Sequence, residues 1–213
     1  MKKYSYSMVA VAIIALLAAS CVKDRAYIRK VVPGDTTRDS LITYYNCNVD
    51  TLTILSLPTS TSNAGAFMTY GGTRYDTVHF GTTINAVGAD TVLSGSSAAL
   101  RLRNPSGPFV MCFPTTGFRD IVLKYAVERS SKGAALNTVS YTIDGINWIN
   151  TAIAANPSYT VDTVFSLVTL DFSSDTHCND NPLFQVKIEF SNAAGTTTGN
   201  DRFDNITLWG NKK

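Results

Sequence analysis

The chain has 213 residues, 45% hydrophobic and 16% charged, with eighteen Lys and Arg against sixteen Asp and Glu. Residues 41–213 hold eleven bases and thirteen acids, a balance that gives no electrostatic footprint for nucleic acid. That stretch is long enough for one domain with a substantial core.

Residues 1–20 read as a secretory signal. Lys2 and Lys3 form a basic start, "MVAVAIIALLA" an apolar middle, and small residues precede Cys21. The apolar run is short for a spanning helix. Ala18-Ala19-Ser20-Cys21 resembles the lipobox of bacterial lipoproteins, with Ala18 where that pattern usually has Leu. The resemblance implies that Cys21 is lipidated on its thiol and becomes the first mature residue. The protein would then be an outer-membrane lipoprotein, facing the periplasm or the cell surface and touching the membrane through its lipid. Residues 21–40, basic near the anchor, read as a tether, and residues 41–213 as the folded domain.

Three further cysteines, Cys47, Cys112 and Cys178, permit one disulfide in an oxidising envelope, with the pairing open. An Asp-Ser/Thr-apolar-or-Thr triplet recurs from residue 35 onward. It resembles an O-glycosylation acceptor motif of some Gram-negative envelope proteins, which implies acceptors at Thr36 and Ser40 in the tether. At internal sites the same triplet reads as Asp ending a turn and Thr opening a strand. Residues 57–66, "LPTSTSNAGA", read as a long surface loop. Tyr70 and Tyr75 flank "GGTR" and, with Arg74, suggest a loop face able to meet a ligand.

Period-two alternation then dominates. "AALRLR" and "FSLVTLDF" follow it. In "RDIVLKYAVER", Ile121, Leu123, Tyr125 and Val127 share one face, with Lys124 and Glu128 on the other. "NTVSYTIDG" sets Val139, Tyr141 and Ile143 together, and Asp144-Gly145 marks a hairpin turn. In "FQVKIEFS", Val186, Ile188 and Phe190 alternate with Gln185, Lys187 and Glu189. No segment after the signal carries a helical stripe, so the fold class is all-β, an antiparallel β-sandwich.

The order "TTGFRDIVLKYAVERS", "VSYTIDGINW", "NPLFQVKIEFSN", "GNDRFDNITLWG" resembles the jelly-roll domains of secreted bacterial proteins, of the galactose-binding-like and carbohydrate-binding-module kind. The resemblance covers residues 98–210 well and 41–97 loosely. In that group an Asp opening the last strand often helps to hold a structural Ca²⁺, which implies Asp201, Asp204 and Asn205 as metal ligands. "YTIDGINW" resembles a sialidase-type Asp box one residue short, which assigns Thr142 and Asp144 to the turn and Trp148 to packing beneath it.

Sugar recognition needs flat rings for pyranose C–H faces and polar groups for hydroxyls. Tyr70, Tyr75, Tyr159 and Trp209 are the candidate rings, with Arg74 as the polar partner. No nucleophile elbow, phosphate loop or HExxH is present, and His79 and His177 read as surface or turn residues. The sequence therefore points to a non-catalytic binding module for a glycan or surface protein. A structural or assembly subunit is the second reading and a hydrolase the third.

Overall fold

The computed structural model describes residues 39–49, 53–91, 97–104, 106–151, 153, 157–195 and 198–213. The signal, Cys21, Thr36 and nearly all of the tether lie outside the described residues. Ser40 is the first residue of strand β1 and faces Gly210 across a ladder.

Twelve strands occur among the described residues: β1 Ser40–Tyr45, β2 Ser60–Thr61, β3 Phe67–Tyr70, β4 Arg74–Val78, β5 Ala99–Arg103, β6 Phe109–Cys112, β7 Phe118–Arg129, β8 Ala134–Thr142, β9 Ser158–Thr160, β10 Ser166–Asp171, β11 Gln185–Ala193 and β12 Asn200–Lys212. The first sheet runs β10-β7-β12-β1-β2, with β5 joined to β12 and β4 to β5; the second runs β3-β6-β11-β8-β9. All pairings are antiparallel. The protein is thus an all-β sandwich of two antiparallel sheets, in jelly-roll form. Residues 57–66 are not wholly loop, because Ser60 and Thr61 pair with Tyr44 and Thr43 as β2.

The inward set is the one that alternation selects. Ile121, Leu123, Tyr125 and Val127 of β7 meet Val139 and Tyr141 of β8 and Val186 and Ile188 of β11 in one buried cluster. Phe203 of the first sheet meets Phe109 of the second with ring centres 5.1 Å apart and its own-sheet neighbour Tyr125 at 5.6 Å. Such edge-tilted pairs add about 1 kcal/mol beyond the area they bury. Truncating a ring such as Phe203 to Ala would cost about 3–5 kcal/mol.

β12 is the spine of the first sheet. Residues 200–203 pair with β5, residues 206–210 with β1, and β7 runs along the opposite side. One strand can serve both partners because its pleat is re-phased midway. Asp204 faces Ala126 and Thr207 faces Lys124, so Asn205 and Ile206 together oppose Tyr125. This is a β-bulge. Asn205 takes φ 48°, a left-handed conformation that Asn tolerates better than most residues. Asp201 and Phe203 point inward before the bulge, and Ile206 and Leu208 after it.

The three described cysteines are free and buried, so the permitted disulfide does not form. They occupy separate places: Cys47 follows β1, Cys112 ends β6, and Cys178 closes a short 3₁₀ turn at Thr176–Cys178. Among the described residues no helix is long and apolar enough to cross a membrane.

Candidate functional site

Asp204 and Asn205 sit under a segment, residues 79–91, that crosses the outer face of the first sheet. The Asp204 carboxylate accepts the Thr82 N–H at 2.7 Å and the Asn205 N–H at 2.8 Å. The Asn205 amide donates to the carbonyls of Thr82 and Ile84, at 2.6 and 3.1 Å. Its oxygen accepts the Tyr44 hydroxyl at 2.8 Å. Asn85 donates in return to the Asn205 carbonyl at 2.5 Å and to Thr207 Oγ1 at 2.9 Å. Together these groups latch the crossing segment to the spine strand.

A calcium ion draws on six to eight oxygens. Here both oxygens of Asp204 face N–H groups, and the carbonyls of Thr82 and Ile84 face an amide nitrogen. Asp201, third of the expected ligands, points the other way, into the core, where it accepts the Ala134 N–H at 2.8 Å. Among the described residues no three His, Cys, Asp or Glu side chains gather as a metal group. The residues present are matched to hydrogen-bond donors and do not fit a cation cage.

Burial pushes Asp204 up to about 7, against the lowering effect of its two N–H donors and with help from the nearby Asp90 charge. Burial likewise raises Asp201 to about 7, opposed by the Ala134 N–H and the Arg129 charge. The second carboxyl oxygen of Asp201 is buried without a partner among the described residues.

The expected ligand residues do not converge. Tyr70, Tyr75 and Tyr159 pack against the core. Tyr159 shares a 2.7 Å hydrogen bond with the Tyr125 hydroxyl and receives one from Asn137 at 3.1 Å, and Tyr70 donates to the Arg103 carbonyl. Trp209 is half-buried on the outer face of the first sheet, opposite Val122 and Leu41. Arg74 is exposed on β4, 3.8 Å from Asp76.

The outer face of the second sheet offers what those residues lack. Val186 and Ile188 point inward, so Gln185, Lys187 and Glu189 of β11 point out. Lys187 faces Val110 and Ser140 on its neighbours, and Gln185 faces Cys112 and Thr142. Phe67 and Thr69 extend the same rows onto β3.

From the far side comes Trp148, carried by the hairpin that follows β8. Thr142 and Asp144 build that turn. Asp144 accepts the N–H groups of Asn147 and Ile146 at 2.7 and 2.8 Å and the Thr142 hydroxyl at 2.9 Å. The Asn147 bonds first, then those of Ile146 and Thr142, hold its carboxyl well below the usual range. Gly145 follows at φ 75°. Backbone bonds between Tyr141 and Ile149, at 2.7 and 2.9 Å, return the chain alongside β8.

Trp148 meets a side chain of β11. It is 36% exposed, and the Lys187 ammonium sits 4.7 Å from its ring centre, a cation–π contact. Phe67, 43% exposed, stands on the other side of β11. The row that joins Phe67 to the Trp148 side runs through Cys112, Gln185 and Thr142, with Thr69, Val110 and Lys187 in the next outward row and the Lys187–Glu189 pair at 3.6 Å beside it. The Ser140 hydroxyl, opposite Lys187, is buried with no hydrogen-bond partner among the described residues. Two partly exposed rings thus share the outer face of this sheet with the Gln185 amide and the Lys187–Glu189 pair.

Neither a protein-family model nor a curated protein matches this chain. Solved structures do. The CBM22-1 xylan-binding domain of Paenibacillus barcinonensis Xyn10C superposes with a TM-score of 0.50 at 11% identity, over 83% of this chain and 98% of that domain. The likeness is one of fold. A cleaved adhesin domain of Lys-gingipain from Porphyromonas gingivalis aligns at TM-score 0.46 and 7% identity, over 81% and 99% of the two chains. TmCBM61, solved with β-1,4-galactotriose, aligns at 0.39 and 12%, over 69% and 89%.

Proposed function

We propose that this chain is a non-catalytic glycan-binding module whose platform is the outer face of the second sheet. The observation that carries the reading is Trp148, partly exposed against Lys187 on the same outer face as Phe67 and Gln185. Ring faces stack on the C–H surface of a sugar while Gln185, Lys187, Glu189 and the threonine hydroxyls bond its oxygens. The turn at Asp144 fixes Trp148 before any ligand arrives, which lowers the ordering cost of binding. The xylan-binding domain that shares this fold makes xylan the first polysaccharide to try. With Cys21 as a lipid anchor and residues 22–40 as a tether, the module would hold glycan at the bacterial envelope.

Affinity electrophoresis in gels containing xylan and other neutral polysaccharides tests the reading. Retention by at least one of them, lost in Trp148→Ala, is expected. Equal mobility in every gel overturns it.

A further inference from the structure

The outer face of the first sheet carries a second group of side chains, beyond the latched segment. Register sets Asp76, Arg101, Arg202 and Glu128 side by side across β4, β5, β12 and β7. Arg74 and Arg103 form the adjoining row. Four guanidinium groups therefore meet two carboxylates, an excess of two positive charges on residues 41–213, whose formal charge is −2.

The internal pairings leave Arg74 with little to hold, while Arg103 grips Asp76 through both Nε and Nη2 at 2.8 Å. Asp76 takes a two-pronged contact from Arg101, at 2.6 and 2.9 Å, and a third N–H from Arg103 at 2.8 Å. Arg202 pairs with Glu128 and with Asn200. Arg74 reaches Asp76 only at 3.8 Å with its side chain 67% exposed, and the Arg103 side chain is 34% exposed.

An aromatic step borders this ladder. The Arg202 guanidinium lies 5.0 Å from the centre of the Phe80 ring, and Phe80 stacks on Phe165 at 6.5 Å and 26°. Phe80 is 55% exposed, so much of its ring surface lies outside the core. Guanidinium groups match carboxylate and sulfate oxygens in a planar fork, and an open ring beside them accepts a sugar face. An acidic peptide would use the cations and leave the rings idle.

We propose that this face binds an anionic glycan, one bearing carboxylates or sulfates, with Arg74 pairing the anion beside the partly exposed Arg103 and the Phe80–Phe165 step stacking on a sugar ring. The site lies on the opposite sheet from Trp148 and stands independently of that platform.

Calorimetric titration of the full folded chain with oligogalacturonate, dextran sulfate, neutral dextran and poly-glutamate tests it. At least one of the two anionic glycans binds, its identity separating carboxylate from sulfate recognition, and neutral dextran does not. Added salt weakens the interaction. Arg74→Gln and Phe80→Ala each reduce affinity about tenfold or more, while their melting curves stay close to wild type because both side chains are largely exposed. Trp148→Ala leaves this binding intact, so failure here is distinct from failure of the neutral-glycan platform. The proposal is overturned if neither anionic glycan binds, if poly-glutamate binds as well as they do, or if both variants retain full affinity.

Discussion

The outer faces of the two sheets are built from similar material and end in opposite conditions. On the first, Tyr44, Asp204, Asn205 and Thr207 project from β1 and β12, and residues 79–91 lie across them with their backbone groups spent on those side chains. On the second, Gln185, Lys187 and Trp148 project from β11 and its neighbouring hairpin; Lys187 is spent on Glu189 and the Trp148 ring, but no chain segment crosses over them among the described residues, and Trp148 and Phe67 keep 36% and 43% of their surface exposed. Polar and aromatic residues on a sheet face are therefore no guide to function by themselves. What decides is whether the chain's own backbone consumes their hydrogen bonds. A face that satisfies itself becomes architecture, and one that keeps its groups free is available to a ligand.

The sharpest way to break that contrast is at Asn205. Asn205→Ala removes the acceptor for Tyr44 and the donor for two carbonyls, and puts a less tolerant residue at φ 48°. Each buried group left unpaired costs about 1–3 kcal/mol, so a loss of about 3 kcal/mol or more is expected in a urea melt. Asn205→Gly keeps the left-handed backbone and should recover the strain alone. If the alanine variant melts like wild type, the segment is not latched there.

Next in size is a pH effect from the two buried carboxyls. Asp201 and Asp204 are raised to about 7 when folded, from an ordinary value of 3.8. Between those limits the folded state holds protons that the unfolded state has released. Stability from these groups is therefore full below pH 4 and declines as pH rises through 7, by at most about 1.4 kcal/mol per pH unit for each group. Asp201→Asn removes one of the two contributions. It should flatten the decline between pH 5 and 8 by about half and make the variant more stable than wild type at pH 8. A variant whose stability parallels that of wild type across this range would assign the slope elsewhere.

The same residues show where sequence reading reached its limit. The strands were legible because their core-facing residues alternate, as Ile121 to Val127 and Val186 to Phe190 do, even where the other face is covered as well, as at Val122 and Ala126. The final strand held its signal in plain view. Phe203 and Ile206 are three apart, an odd step that only a bulge can reconcile with both being buried, and Asn205 between them suits its backbone.

The ligand residues were less legible, because exposure depends on what lies across the fold. Tyr70, Tyr75 and Tyr159 turn inward because the opposite sheet offers them packing and, for Tyr159, a hydroxyl partner. Trp148 keeps part of its ring exposed where its hairpin brings it against Lys187 of β11. Lys187 and Glu189 were readable as an outward face, but nothing local identified the tryptophan above them.

The remaining expectations concern small effects. EDTA should leave the thermal melt unchanged, since N–H groups already meet the oxygens of Asp204. A drop on chelation, restored by Ca²⁺, would mean that the latch opens to admit a cation.

Smallest among the substitutions should be the cost of Trp148→Ala to stability. The ring is partly exposed and its charge contact with Lys187 contributes about 0.5–1 kcal/mol at such sites. With the buried part of the ring added, about 1–2 kcal/mol of stability should be lost, less than for Asn205→Ala. The two variants then separate by property. Asn205 governs the melt and leaves the second sheet's ligand face in place, whereas Trp148 governs polysaccharide retention at a smaller cost to stability. A Trp148→Ala protein that unfolds as readily as Asn205→Ala would make the tryptophan a packing residue after all, and with it the open face would become as self-contained as the covered one.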